Sequence, residues 1–181
     1  SNHFRKYSPF RRLATQPRYA RDLERIIEQE RPQVVLSGNT PSDVQAHLLR
    51  TCRRLDIDFV HWVQDVYSLA LEYVLRLKVG KAAARSAALP YQWLDKWVVR
   101  NSDGVVAISQ GFVPLLRRWG AREETLAVIE NWAPLEEVPR LARTNAWSEA
   151  QGLNGEPIFL YSGTLGLKHR PDLLYGLARK L

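Results

Sequence analysis

Between residues 33 and 129, short apolar runs alternate with stretches of helical periodicity, and no other feature restricts this chain as strongly. Four runs read as buried strands: Gln33-Val34-Val35-Leu36-Ser37, Ile57-Asp58-Phe59-Val60-His61-Trp62-Val63, Gly104-Val105-Val106-Ala107-Ile108 and Leu126-Ala127-Val128-Ile129. The intervening segments carry apolar residues three and four positions apart. Residues 18–30 present Tyr19, Leu23, Ile26 and Ile27 before Pro32 stops the helix. After Gly38-Asn39-Thr40-Pro41, Ser42 is expected to cap a helix whose apolar face runs Val44, Leu48, Cys52, Leu55. Residues 67–77 form another helix, closed by Gly80, and residues 82–100 a long one bent near Pro90. Ser109 caps residues 110–119, with Gly120 at the C-terminal cap. Strand and helix alternating over short connections is the pattern of parallel βαβ units, so the expected fold class is α/β: a Rossmann-like parallel sheet with helices on both faces.

In such sheets ligands bind at the carboxyl ends of the strands. That rule selects Ser37-Gly38-Asn39-Thr40, Gln64-Asp65, Ser109-Gln110-Gly111 and Glu130-Asn131-Trp132. Asp65 can accept hydrogen bonds from hydroxyl groups or take a proton from one. His61 shares its strand parity with Asp65 and reads as a satisfied strand-end histidine. Ser109 and Asn131 are also a good helix cap and a good turn former in their own right.

From Ala133 the character changes. Pro134, Pro139, Asn145, Gly152, Asn154, Gly155 and Pro157 mark a linker with a short helix over residues 146–150. Ile158-Phe159-Leu160-Tyr161 then reads as a strand, Ser162-Gly163-Thr164-Leu165-Gly166 as a turn, and Pro171 as the first-turn residue of a closing helix. This is the opening strand and helix of a second Rossmann-like domain. The expected division is residues 1–154 and residues 155–181.

Composition narrows the function classes. One cysteine, Cys52, excludes an internal disulfide, and four dispersed histidines leave no zinc-like cluster, so no metal and no cofactor is expected. No apolar run reaches the roughly 20 residues of a membrane span, which makes a cytoplasmic protein the expectation. The formal charge is +7, from 26 Lys+Arg against 19 Asp+Glu. Basic residues gather at the start with Phe4, Tyr7 and Phe10, in the middle at Arg76, Lys78, Lys81 and Arg85, and at the end. Such clusters suit a phosphorylated substrate, an anionic membrane surface or nucleic acid, and equally a plain solvated surface.

Four stretches together carry a resemblance. They are Val60-His61-Trp62-Val63-Gln64-Asp65-Val66-Tyr67, Ser102-Asp103-Gly104-Val105-Val106-Ala107-Ile108-Ser109-Gln110-Gly111-Phe112, Val128-Ile129-Glu130-Asn131-Trp132 and Phe159-Leu160-Tyr161-Ser162-Gly163-Thr164-Leu165-Gly166-Leu167-Lys168-His169. In order and spacing they resemble landmarks of retaining glycosyltransferases of the two-Rossmann GT-B fold, most of all the branch that assembles bacterial exopolysaccharide, capsule and colanic-acid-type sugars. The resemblance implies a nucleotide-diphosphate sugar as donor substrate and a polysaccharide or lipid-linked acceptor held by the N-terminal domain. It makes Asp65 the candidate catalytic residue. It assigns the donor diphosphate to Gly163, Thr164, Gly166, Lys168, His169 and Arg170, because glycines let backbone N–H groups approach phosphate and cations offset its charge. Gly38, Asn39, Thr40, Gln64, Ser109 and Asn131 become candidate substrate-binding residues.

The match is partial. No strand precedes Gln33, and no glutamate follows Glu156 where the family carries a paired-glutamate donor motif, so the sequence is expected to be an internal fragment that is inactive alone. The basic, aromatic opening stretch is expected to touch the cytoplasmic face of a membrane. An unpaired sheet edge permits a homo-oligomer. A catalytically inactive Rossmann-like binding module and a nucleic-acid binder are the competing readings, although no recognised nucleic-acid motif is present.

Overall fold

The computed structural model describes residues 9–134, 136–153, 158, 160, 161, 163 and 171–180, without side chains for residues 9–15 and 171. The chain divides into two compact units, Ser1–Glu130 and Asn131–Leu181. The second unit includes the linker that begins at Ala133.

The first unit is an α/β layer. Helix α1 (Pro9–Glu30) precedes β1 (Val34–Gly38), α2 (Ser42–Leu55), β2 (Asp58–Val63), α3 (Tyr67–Val79), α4 (Lys81–Asn101), β3 (Gly104–Ala107), α5 (Val113–Arg118) and β4 (Leu126–Val128). The four strands are parallel and lie in the order β1-β2-β3-β4. Register pairs Val35 with Phe59, Val63 with Ala107, and Val105 with Leu126, so these residues point to one face of the sheet. That is where the core lies. One cluster joins Phe59 to Ala20 and Ile27 of α1, Val44, Leu48, Leu49 and Cys52 of α2, and Val98 of α4. A second joins Val63, Val105 and Ala107 to Val99 of α4 and Leu116 of α5. Strands that advance steadily in one direction receive their right-handed crossovers on the same face, which is why the packed clusters gather there.

The first strand is corrected from buried to edge. Among the described residues β1 pairs only with β2, and Val34 and Leu36 project to the face opposite the packed clusters, where they remain 49% and 58% exposed. A second correction concerns Ser42. Pro41 holds the N-cap position of α2, and the buried Ser42 hydroxyl, one residue inside the helix, has no hydrogen-bond partner among the described residues. Ser109 does cap as expected, accepting from the Gly111 N–H at 3.2 Å, and Gly120 closes α5 at φ 93°.

Polar contacts fix the helices. Glu24 of α1 meets His47 Nε2 at 2.8 Å and Arg54 Nη2 at 2.6 Å, and Arg54 reaches Glu28 at 2.7 Å, tying α1 to α2. The α3–α4 hairpin turns at Gly80, and Asp95 of α4 accepts from the Ser68 N–H at 3.1 Å, supplying the N-terminal acceptor that Val66 lacks. Asp103 accepts from the Phe59 N–H at 2.9 Å and locks β2 at the start of β3.

In the second unit the expected short helix is present as α6 (Ala146–Ala150), with Asn145 and Ser148 forming a reciprocal cap. Helix α7 (Pro171–Ala178) begins at Pro171 as expected. The expected strand over residues 158–161 is corrected: Ile158, Leu160 and Tyr161 lie in no strand, and Leu160 is 74% exposed. A strand is held by a neighbour's ladder, and no described residue of this unit supplies one.

Candidate functional site

The carboxyl ends of β1 and β2 open into a cavity of about 490 Å³, inside the roughly 300–1,000 Å³ range of small-molecule sites. Asn39, Thr40 and Pro41 line it from the loop after β1, His61 and Trp62 from β2, and Asp65 from the loop after β2. Tyr67 and Ala70 of α3, Gln45 of α2, and Gln16 and Tyr19 of α1 complete the wall.

Geometry accounts for the local shape. Gly38 is the last residue of β1, and a Cβ there would stand 3.0 Å from the Trp62 carbonyl oxygen, so the close approach of β1 to β2 requires glycine. Asn39 then adopts the left-handed conformation at φ 54°, and its Nδ2 donates to Gln64 Oε1 at 2.9 Å. This bond bridges the two strand ends and frames the cavity mouth. Asp65 is exposed at that mouth.

Behind the mouth, polar groups are buried without partners. Both amide atoms of Gln45, His61 Nδ1 and Trp62 Nε1, all from the cavity wall, have no hydrogen-bond partner among the described residues, and Ser42 Oγ, Asp43 Oδ1 and Ser68 Oγ, which are not part of that wall, have none either. Each such group costs about 1–3 kcal/mol relative to a satisfied one, so a run of them around one cavity calls for hydroxyl or amide partners from a ligand or solvent. His61 is thereby corrected from a satisfied histidine to one with an open ring nitrogen. Desolvation pushes its pKa down to about 4, against an opposing hydrogen bond to the Ser37 backbone. At neutral pH the ring is uncharged and can accept or donate one hydrogen bond into the site.

This shift makes a pH dependence. The unfolded histidine takes up its proton near pH 6.5 and the folded one near 4, so stability falls as pH drops through that window and is flat below it. The loss expected is on the order of 3 kcal/mol. Urea midpoints measured between pH 7 and 4 should show it, and His61→Asn should remove most of the slope above pH 4.5. The Glu24 carboxyl, held low chiefly by its hydrogen bond to His47, gives a separate loss that begins only in the carboxylate range.

Of the residues selected from sequence, the structure brings Asn39, Thr40, Gln64 and Asp65 to one place. Gly38 shapes it from behind. Ser109 serves as a cap, away from the cavity wall, and Asn131 is an exposed residue of the second unit. Gly163 sits in an exposed bend, where a Cβ would stand 3.4 Å from the Tyr161 hydroxyl oxygen. Thr164, Gly166, Lys168, His169 and Arg170 lie outside the described residues. Sequence reasoning missed Gln45, Gln16 and Tyr19. The signal for Gln45 was there: a glutamine on a helix stripe otherwise made of Leu48, Leu49 and Cys52 is a polar residue in a buried row.

Burial, with the Asp103 carboxylate second, pushes the Cys52 thiol up to about 11, so it is no nucleophile. Among the described residues no group of three His, Cys, Asp or Glu side chains is placed to hold a metal ion.

A family model described as a glycosyl transferase 4-like domain matches residues 4–132. No curated protein and no solved structure matches the chain.

Proposed function

Because the chain belongs to the glycosyl transferase 4-like domain family and is thus a glycosyltransferase domain, we propose that its cavity binds the acceptor sugar for retaining transfer from a nucleotide-diphosphate sugar. The observation that carries this reading is the set of unpartnered polar atoms of Gln45, His61 and Trp62 around one cavity with Asp65 at its mouth. A sugar is a dense array of hydroxyls, each able to donate and accept, and it suits a wall that mixes amide, imidazole and indole groups with aromatic rings. Gln45 holds one hydroxyl through both its amide atoms, neutral His61 a second, and Trp62 Nε1 donates to a third. Asp65 accepts the proton of the acceptor hydroxyl as its oxygen bonds to the anomeric carbon on the same face from which the diphosphate leaves, so the bond to the diphosphate breaks as the new one forms and the configuration is kept. The resemblance assigns the departing diphosphate to the residues from Gly163 to Arg170, and its likeness to polysaccharide-assembling enzymes makes a polysaccharide or lipid-linked sugar the acceptor class.

Saturation-transfer NMR with a panel of hexoses and hexosamines tests the acceptor role. Gln45→Ala should weaken the best binder about thirtyfold, from two hydrogen bonds worth about 1 kcal/mol each. Equal binding by the variant would sink the assignment of this cavity.

A further inference from the structure

The hairpin of α3 and α4 has a surface that the cavity does not use. Residues 73–94 contain Arg76, Lys78, Lys81 and Arg85 and no acidic residue. At the turn Leu77 is 70% and Val79 54% exposed, flanking the exposed Lys78, and Gly80 at φ 82° reverses the chain. Exposed apolar side chains recur every four residues along α3 at Leu69, Tyr73 and Leu77. On α4 the same spacing gives Lys81, Arg85, Leu89 and Trp93, all exposed. None of the described ion pairs involves the four basic residues of the turn.

We propose that this hairpin tip docks the domain on the anionic surface of a lipid bilayer. Aliphatic side chains at a tip ringed by cations match the two layers of a bilayer surface in depth: Leu77 and Val79 enter the acyl boundary while Arg76, Lys78, Lys81 and Arg85 meet lipid phosphates. Long basic side chains reach the headgroups even when their stems are drawn inward. Nucleic acid offers phosphate but no apolar layer for Leu77 and Val79. Among the described residues no helix is long and apolar enough to cross a membrane, so the contact is peripheral. The opposite end of α3 carries Tyr67 and Ala70 in the cavity wall. Thirteen residues at 1.5 Å each span about 20 Å, the distance along the helix from lipid surface to cavity. Docking stands apart from the sugar-transfer reading, since it concerns neither Gln45 nor Asp65.

Co-sedimentation with vesicles of phosphatidylglycerol and phosphatidylcholine, against phosphatidylcholine alone, is the test. The protein should pellet with the anionic vesicles and lose binding in high salt. Lys78→Glu with Lys81→Glu should reduce binding at least about 25-fold, at roughly fivefold per charge near the surface. Leu77→Ser with Val79→Ser, at exposed positions that bear little of the fold, should reduce it about tenfold. Four results would overturn the proposal: no preference for anionic vesicles; binding that survives both pairs of changes but is lost when residues 1–8 are removed; oligonucleotide binding that the charge changes abolish and the Leu77 and Val79 changes leave intact; or self-association in the absence of lipid that the Leu77 and Val79 changes abolish.

Discussion

Replacing Asp65 by asparagine is expected to lower the rate of sugar transfer by about 10²–10⁴-fold while acceptor binding changes by less than about threefold. Asparagine keeps the size of the side chain and its ability to accept a hydrogen bond, but it takes no proton. Asp65 stands two residues beyond β2, at the mouth of a cavity whose far wall is neutral: His61, with its pKa near 4, is uncharged at the working pH, and Gln45 and Trp62 never titrate. On the proposed reading, Asp65 is the carboxyl-bearing residue of the cavity lining to which the proton transfer is assigned. Because this chain is expected to be inactive alone, the effect is read in kcat from steady-state rates of a full-length relative that carries the matching aspartate, with a nucleotide-diphosphate sugar and a saturating acceptor. An unchanged kcat would remove the assigned role, and a rise in KM alone would mean that Asp65 only binds.

Phe59→Ala should be the most damaging change to the fold. The ring is fully buried at the middle of the sheet, in the cluster that joins α1, α2 and α4 to β2. Truncation removes its transfer free energy and leaves a cavity, together about 3–5 kcal/mol. That is a large part of the 5–15 kcal/mol by which such domains are stable. The backbone bond to Asp103 survives the change, so the loss isolates side-chain packing. Urea unfolding followed by circular dichroism measures it, with Phe59→Leu as a milder control near 1 kcal/mol. A loss for alanine no greater than for leucine would show that the neighbours close over the gap.

The parallel layer was legible because its elements write their own periods: alternate burial along β3, and Val44, Leu48 and Cys52 on one side of α2. The candidate residues at the strand ends were legible for a related reason, since a parallel sheet always presents the same edge to ligands. Asn39, Thr40, Gln64 and Asp65 follow from that rule and nothing further. Errors fell where a residue's state depends on a neighbour. Val34 and Leu36 form a strand like any other, but whether a strand is central or at an edge depends on what pairs beside it. Ile158, Leu160 and Tyr161 have strand-forming character without a described partner strand, and they form none.

By itself, then, the sequence determined the order of elements, the direction of the strands and the loops that could carry a site, all of which follow from local periodicity and chain connectivity. Only the tertiary structure decided that Gln16 and Tyr19 from α1 and Gln45 from α2 meet His61 and Asp65 around one cavity, and that His61 is left with an open nitrogen and a pKa near 4. The physical reason is that desolvation and hydrogen-bond satisfaction belong to a place in space. They are set by the angle at which two helices cross a sheet, and no spacing along the chain encodes that angle.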